Sequence, residues 1–328
     1  MNPSYPIAAI VLGLGTIAAG IQPAYAQAPG AYPSRTVRFI VPFAPGGGTD
    51  VVARAIASRL SDLWGQPVIA DNRPGAATTI GIDLAAKAPA DGYTIVLAST
   101  SYGINAASGR KLPYDPLKDL AFITQAALQS YVITTHPALP VKSVKEFIAL
   151  AKAKPGALAY GSPGAGSGSH LVVELFQQMT GTKMLHIPYK GSGPALTDLI
   201  GGQTQFMFAT ILAVSPHLKS GRLKGLATSG PRRSKALPEL PTAVEAGVAG
   251  YVTTSWSGVM APAATPAEIQ EKIHRDVVKV LAMPEVRKRL EADGGEPVGS
   301  TPAEFAALIR NEITTWGKVI KSAGLPTE

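Results

Sequence analysis

The chain has 328 residues, 46% hydrophobic, 6% aromatic and 16% charged, and its 30 Lys and Arg against 22 Asp and Glu leave a net charge of +8. It has no Cys, which excludes disulfides and thiolate metal or redox sites. The basic residues are scattered apart from a cluster at Arg232, Arg233 and Lys235, so with few aromatics they read as a solvated surface that steers anions and not as a nucleic-acid face.

Residues 7–21 are a short apolar run, followed by Ala24-Tyr25-Ala26, a small-x-small cleavage pattern. This reads as a secretory signal peptide over residues 1–26, cleaved after Ala26, and so predicts a periplasmic protein. The run is short of the roughly 20 residues that a membrane span needs. The first six residues carry no Lys or Arg, a departure from the usual charged start. The remaining chain is long enough for one large domain or two ordinary ones.

The body then alternates strand-like and helix-like segments. Residues 37–41 read as a buried strand and 50–63 as a helix with Val52, Ile56, Leu60 and Leu63 on one stripe. Strands are predicted at 66–70 and 93–98, with a helix at 78–87 between them. That order implies a parallel sheet covered by helices. In the middle, Ser143 and Glu146 form a capping box for a helix to 153. A strand near 158–160, a helix from about 169, a strand at 184–187, a helix near 194–200 and a strand at 205–208 follow. The end is helical: the sequence TPAE at 265–268 and again at 301–304 places an N-cap Thr, a Pro at the first helical position and a closing Glu. Ile269, Ile273, Val277 and Val280 then form one apolar face, and Phe305, Leu308, Ile313, Trp316 and Ile320 another. Length suggests two lobes, with boundaries near Gln129 and Gly250.

Two glycine-rich stretches stand out. Val41 to Asp50, VPFAPGGGTD, leaves a strand and enters a helix, and so does Tyr160 to Leu171, YGSPGAGSGSHL, with Ser167 or Ser169 as its cap. The N–H groups at a helix start are unpaired and carry the positive end of the helix dipole, and glycine lets an anion approach them. In open α/β sheets ligands sit beyond the carboxyl ends of the strands. Two such edges facing one another suit an anion that needs no charged side chain, with added hydroxyls from Thr49, Ser99, Thr100, Ser162 and Ser167. No G-x-G-x-x-G or G-x-x-x-x-G-K-[ST] is present, so a nucleotide phosphate is not favoured over a carboxylate. The G-x-S-x-G of serine hydrolases is also missing, and the five His residues show no metal-ligand spacing. Ser167 and His170 are the one pair that a hydrolase could use; otherwise His170 fixes the second loop.

In order along the chain, YPSRTVRFIVPFAPGGGTDVVAR, GQPVIADNRPGA, KAPADGYTIVLAST, LPYDPLKDLAFIT, GSPGAGSGSHL, PYKGSGPALTDLIGGQ, LPELPTAVEAG and WSGVMAP resemble the Bug family, the periplasmic solute-binding proteins of tripartite tricarboxylate transporters. The resemblance covers nearly all of the mature chain. It implies an α/β, two-lobed periplasmic-binding-protein fold of the type II kind, with the ligand in the interdomain cleft. One lobe would comprise residues 27–128 and 250–328, the other 129–249. It implies capture of a small carboxylate, an aromatic or dicarboxylic acid among the forms it admits, and delivery to membrane permease subunits, by a monomer without catalysis, cofactor or metal.

Carried over, the ligand-binding positions are Pro45, Gly46, Gly47, Gly48, Thr49 and Asp50 on one side, and Ser162, Gly164, Gly166, Ser167 and His170 on the other. Ser99, Thr100 and Tyr189 join them. Ala209 and Thr210 complete the set: many relatives have an Asp where this chain has Ala209, which implies a ligand without an ammonium group, either an acid with an apolar or aromatic body or a dicarboxylate whose far end meets Thr210 and backbone. A lobe that reports its ligand to a signalling partner would need the same cleft.

Overall fold

The computed structural model describes residue 1 and residues 32–323. The expected apolar run and the cleavage site at Ala26 lie outside the described residues.

The first strand, β1 (Val37–Val41), has four of its five residues buried, because parallel neighbours and helices cover both of its faces. Helix α1 (Gly48–Trp64) follows, then β2 (Val68–Asn72), α2 (Thr79–Ala86), β3 (Thr94–Ser99) and α3 (Thr100–Ala107). Strand β4 (Leu120–Thr135) is the longest in the molecule among the described residues. After it come α4 (Val144–Ala153), β5 (Ala159–Ser162), α5 (Gly168–Thr180), β6 (Leu185–Pro188), α6 (Ser192–Ile200), β7 (Phe206–Thr210), α7 (Ile211–Lys219) and β8 (Lys224–Thr228). The chain returns through β9 (Thr254–Pro262) and ends with α8 (Ala267–Ala282), α9 (Pro284–Ala292), the short β10 (Glu296–Pro297) and α10 (Pro302–Ala323).

The strands form one sheet in the order β2-β1-β3-β9-β4-β7-β5-β6, with β8 and β10 also paired to β4. Two trios are parallel, as expected: β1 with β2 and β3, and β5 with β6 and β7. The centre is not. β3 with β9, β9 with β4, and β4 with β7 are all antiparallel. These pairings lie outside the expected βαβαβ units, because β4 and β9 are not joined to their neighbours by helical crossovers; the chain passes through the middle and returns. From Leu120 to Ser130, β4 pairs with β9; from Tyr131 onward it pairs with β7 and β8.

Separate apolar cores fill the two halves. Ile40, Val96, Tyr102, Trp256, Met260 and Phe305 belong to one, and Phe147, Tyr160, Phe176, Phe206, Phe208 and Tyr251 to another. Helix α10 serves both. Phe305 and Ile309 enter the first core, while Trp316 and Ile320 enter the second. Burial at i, i+4, i+11 and i+15 is the spacing of one helical face.

The repeated TPAE behaves differently at its two sites. Thr301 and Glu304 form the expected box, the Glu304 N–H donating to Thr301 Oγ1 (3.2 Å) and the Thr301 N–H to Glu304 Oε2 (2.8 Å). At the other copy α8 begins at Ala267 with Pro266 as its N-cap, and Thr265 Oγ1 is buried without a partner. The expected cap therefore shifts by one residue, and Thr265 is buried, 3% exposed. Ser143 does cap α4. No helix among the described residues is long and apolar enough to cross a membrane.

Candidate functional site

Strands β1, β3, β5 and β7 each run into a helix start at their carboxyl ends, and these junctions gather around one cavity of about 30 Å³. Its wall takes Gly47, Gly48 and Thr49 from the start of α1, Ser99, Thr100 and Ser101 from α3, Ser167, Gly168 and Ser169 from α5, Ser192 from α6, and Thr210 from α7. Phe43, Tyr131, Pro163 and Ser255 complete it. Five helix N-termini thus face one space, and no charged side chain lines it. Each helix start carries roughly half a unit of positive charge and orphan N–H donors. The arrangement attracts an anion through dipoles and hydroxyls alone.

The N-caps differ in a way that matters for binding. Gly47, Ser99, Gly191 and Thr210 cap α1, α3, α6 and α7 without a side-chain bond to the helix. Ser167 does cap α5, accepting from the His170 N–H at 3.3 Å. The Gly168 N–H donates to Ser101 Oγ (3.1 Å), and the Trp256 N–H to Thr100 Oγ1 (3.0 Å). Tyr131 bonds through its hydroxyl to Ser255 and Thr100, while burial raises the phenol's pKa, so it stays a neutral donor and acceptor.

Several expected residues stand behind this wall. Asp50 is 4% exposed and organises the first loop: it accepts from the Gly46 N–H (3.1 Å), Arg54 Nε (2.9 Å) and Asn72 Nδ2 (2.9 Å). Burial alone would raise its pKa; the bonds from Arg54, Asn72 and Gly46 outweigh that and lower it. His170 accepts from the Gly166 N–H through Nδ1 (3.0 Å) and stacks on His186 at 4.0 Å. Desolvation, with repulsion from His186 and Arg110, drops its pKa to about 3, and burial drops that of His186 to about 4. Both rings are neutral at pH 7. Ser162 bonds to His186 Nε2 (2.6 Å) and to the Gly164 N–H. The Ser167–His170 pair is therefore a helix cap joined to a buried histidine stack: the ring faces Gly166 and not the Ser167 hydroxyl.

Tyr189 donates to Asp198 (2.6 Å), and its pKa is pushed up to about 12 by burial and by that carboxylate. Pro45 and Gly46 line a separate outer pocket of about 500 Å³ with Gly193, His217 and Arg222. Ala209 packs into an apolar cluster with Val132, Leu196 and Met207, whereas its neighbour Thr210 faces the cavity. So Gly47, Gly48, Thr49, Ser99, Thr100, Ser167 and Thr210 are brought together, while Pro45, Gly46, Asp50, Ser162, Gly164, Gly166, His170, Tyr189 and Ala209 are not on that wall.

The reading of the sequence missed Phe43, Ser101, Tyr131, Pro163, Ser192 and Ser255. Ser192 had a signal, a Gly-Ser pair before a helix, although that helix was expected to start two residues later. Tyr131 and Ser255 lie on β4 and β9, whose place at the centre depends on long-range pairing.

The outer edges of the cavity are also in contact. The Ala44 N–H donates to the Lys190 carbonyl (3.0 Å), joining the first loop to the segment before α6. Gly48 is pressed against Thr210 Oγ1 and the Gln129 amide; a Cβ at Gly48 would lie 2.9 Å from Gln129 Oε1.

Known proteins place this geometry. Residues 52–325 match the model of the tripartite tricarboxylate transporter family receptor. BugT of Bordetella pertussis (strain Tohama I) is 39% identical over 316 residues, 96% of each chain. Among solved structures, the periplasmic binding protein BugD is 30% identical with a TM-score of 0.87, covering 90% of this chain and 99% of its own. R. palustris Rpa4515 with adipate is 39% identical with a TM-score of 0.86 over 90% and 99%. MatC (Rpa3494) from Rhodopseudomonas palustris with bound malate is 32% identical with a TM-score of 0.84 over 88% and 100%. The fold is that of periplasmic solute-binding proteins.

Proposed function

The chain belongs to the tripartite tricarboxylate transporter receptor family as a Bug-type solute-binding protein, and we propose that it captures a small carboxylate in this cavity and hands it to a membrane permease. The observation that carries the reading is the convergence of five helix N-termini and a ring of hydroxyls on one space with no charged side chain. Such a site repels cations and holds a carboxylate by N–H and O–H donors. Adipate and malate, bound to two relatives, are both dicarboxylates, which favours that form over an aromatic acid.

The remaining parts of the reading follow from the same premise. The protein is exported with a signal peptide over residues 1–26 and works in the periplasm as a monomer. Its lobes divide where β4 changes partners and the chain returns towards β9: residues 27–128 with 250–328, and 129–249. No turnover is expected, since His170 Nδ1 is taken by the Gly166 N–H and the ring is stacked on His186.

The test is a thermal-shift panel on the mature protein, stripped of carried-over ligand, with aliphatic and aromatic mono- and dicarboxylates, and phosphate and neutral sugars as controls. A dose-dependent shift with one carboxylate class supports the reading; ligand at about 100 times its Kd adds roughly 2.7 kcal/mol. A shift only with sugars or phosphate would overturn it.

A further inference from the structure

Gln129 is 3% exposed on β4, opposite Ser255 of β9, two residues before β4 reaches Tyr131 and its pairing with β7. Neither its amide nitrogen nor its amide oxygen has a hydrogen-bond partner among the described residues, and the same holds for Thr210 Oγ1. Buried amides are almost always paired, because an unpaired one loses its bonds to water and gains none. Two orphaned side chains here also share a neighbour. Thr210 Oγ1 and the Gln129 amide both press on the Cα side of Gly48, a residue of the cavity wall. On its other side Gln129 borders a groove of about 480 Å³, with Leu128, Ser130 and Thr254. It is thus the partition between cavity and groove, at the point where both halves of the sheet meet.

The space, about 30 Å³, has room for no more than a few waters. A four- to six-carbon acid needs more, so the form that takes up ligand is wider, with Gly48 drawn away from Thr210 and Gln129. That movement uncovers an N–H₂ donor, an O–H donor and an amide acceptor side by side. We propose that Gln129 is a specificity-determining residue: its amide, with the Thr210 hydroxyl, receives the second polar end of the ligand, while the helix starts of the glycine-rich loops hold the first carboxylate. The inference rests on the carboxylate reading above. It gives the two orphaned groups a partner and makes them discriminate, because a ligand lacking the far group leaves both of them unpaired.

The test compares matched acids by calorimetric titration: adipate against hexanoate and succinate against butyrate. Wild-type protein is expected to prefer the dicarboxylate of at least one pair by ~10-fold or more. In Gln129→Leu the preference collapses, the dicarboxylate losing ~10-fold or more and the monocarboxylate far less. Gln129→Glu, which keeps the polar bulk if the leucine variant folds poorly, reverses the preference by repelling the far carboxylate. Wild-type protein that binds both members equally, or variants that weaken both members equally or neither, would overturn the role of Gln129 and leave the carboxylate reading standing. Binding of neither member of either pair, with no carboxylate shift in the panel, would overturn both.

Discussion

Residues 44–50 and residues 162–170 are both glycine-rich junctions from strand to helix, yet they use their polar groups differently. The first loop is braced from behind: Asp50 holds the Gly46 N–H, Arg54 and Asn72, and the start of α1 meets the cavity as bare glycine. The second loop is braced within: Ser167 caps α5, His170 holds the Gly166 N–H, and the Gly168 N–H is taken by Ser101. Free donors therefore lie mainly on the first loop, and the second contributes hydroxyls and shape. A loop meant to grip a ligand and close over it keeps its cavity face bare; a loop meant to stay in place uses its donors internally.

This contrast can be broken first at the contact of the first loop with the segment before α6. Gly193, the second residue of α6, lies against the Pro45 carbonyl oxygen, where a Cβ has no room. Gly193→Ala is expected to weaken ligand binding by ~100-fold, since a backbone clash cannot be relieved by rotamer choice and ~2.7 kcal/mol corresponds to that factor. Titration with the best carboxylate checks it; unchanged affinity would mean the contact is incidental. Gly48→Ala adds a methyl to the space that the ligand enters between Gly48, Thr210 and Gln129, whose side-chain atoms can shift, so its loss should be smaller, ~10-fold.

The second loop should instead reveal itself through pH. The unfolded chain takes up protons on His170 and His186 near 6.5, whereas the folded chain does so only near 3 and 4. Their contribution is complete well above pH 6.5 and is lost as the pH falls towards 4, by about 2 to 3 kcal/mol for each ring by pH 4.5. Melting curves of the ligand-free protein between pH 7.5 and 4.5 should show that slope, flattened in His170→Asn and His186→Asn. Equal slopes in wild type and variants would remove the histidine stack from the account. The smallest effect is expected for Ser167→Ala, which removes the α5 cap at a cost of about 1 kcal/mol in melting experiments, with a smaller affinity loss than that expected in the first loop.

Much of the site was legible because it is local. Gly46-Gly47-Gly48 and the Gly/Ser run to Ser169 announce strand-to-helix junctions on their own; Ser99 ends the strand expected at 93–98, while Thr100 opens α3, a helix the sequence reading did not place. Asp50 and His170 show the limit of such reading. A polar residue at a helix start can face a ligand or brace its own loop, and the sequence looks the same in both cases; only the positions of Asn72, Arg54 and His186 decide. Ala209 and Thr210 show another: on β7 the alternation of faces sends Ala209 into the core and Thr210 to the cavity, one residue from the position that resemblance pointed to. Tyr131, Ser255 and Gln129 were out of reach because β4 and β9 carry no helix-linked pattern and pair across more than a hundred positions of chain.

The central claim is that neutral donors at helix starts hold a carboxylate. The most direct measurement titrates stripped mature protein with a dicarboxylate that binds and with its uncharged diamide. The account predicts that the acid binds and the diamide, nearly identical in shape, binds at least ~100-fold more weakly, because the dipoles act on charge. Equal affinities for acid and diamide would contradict it.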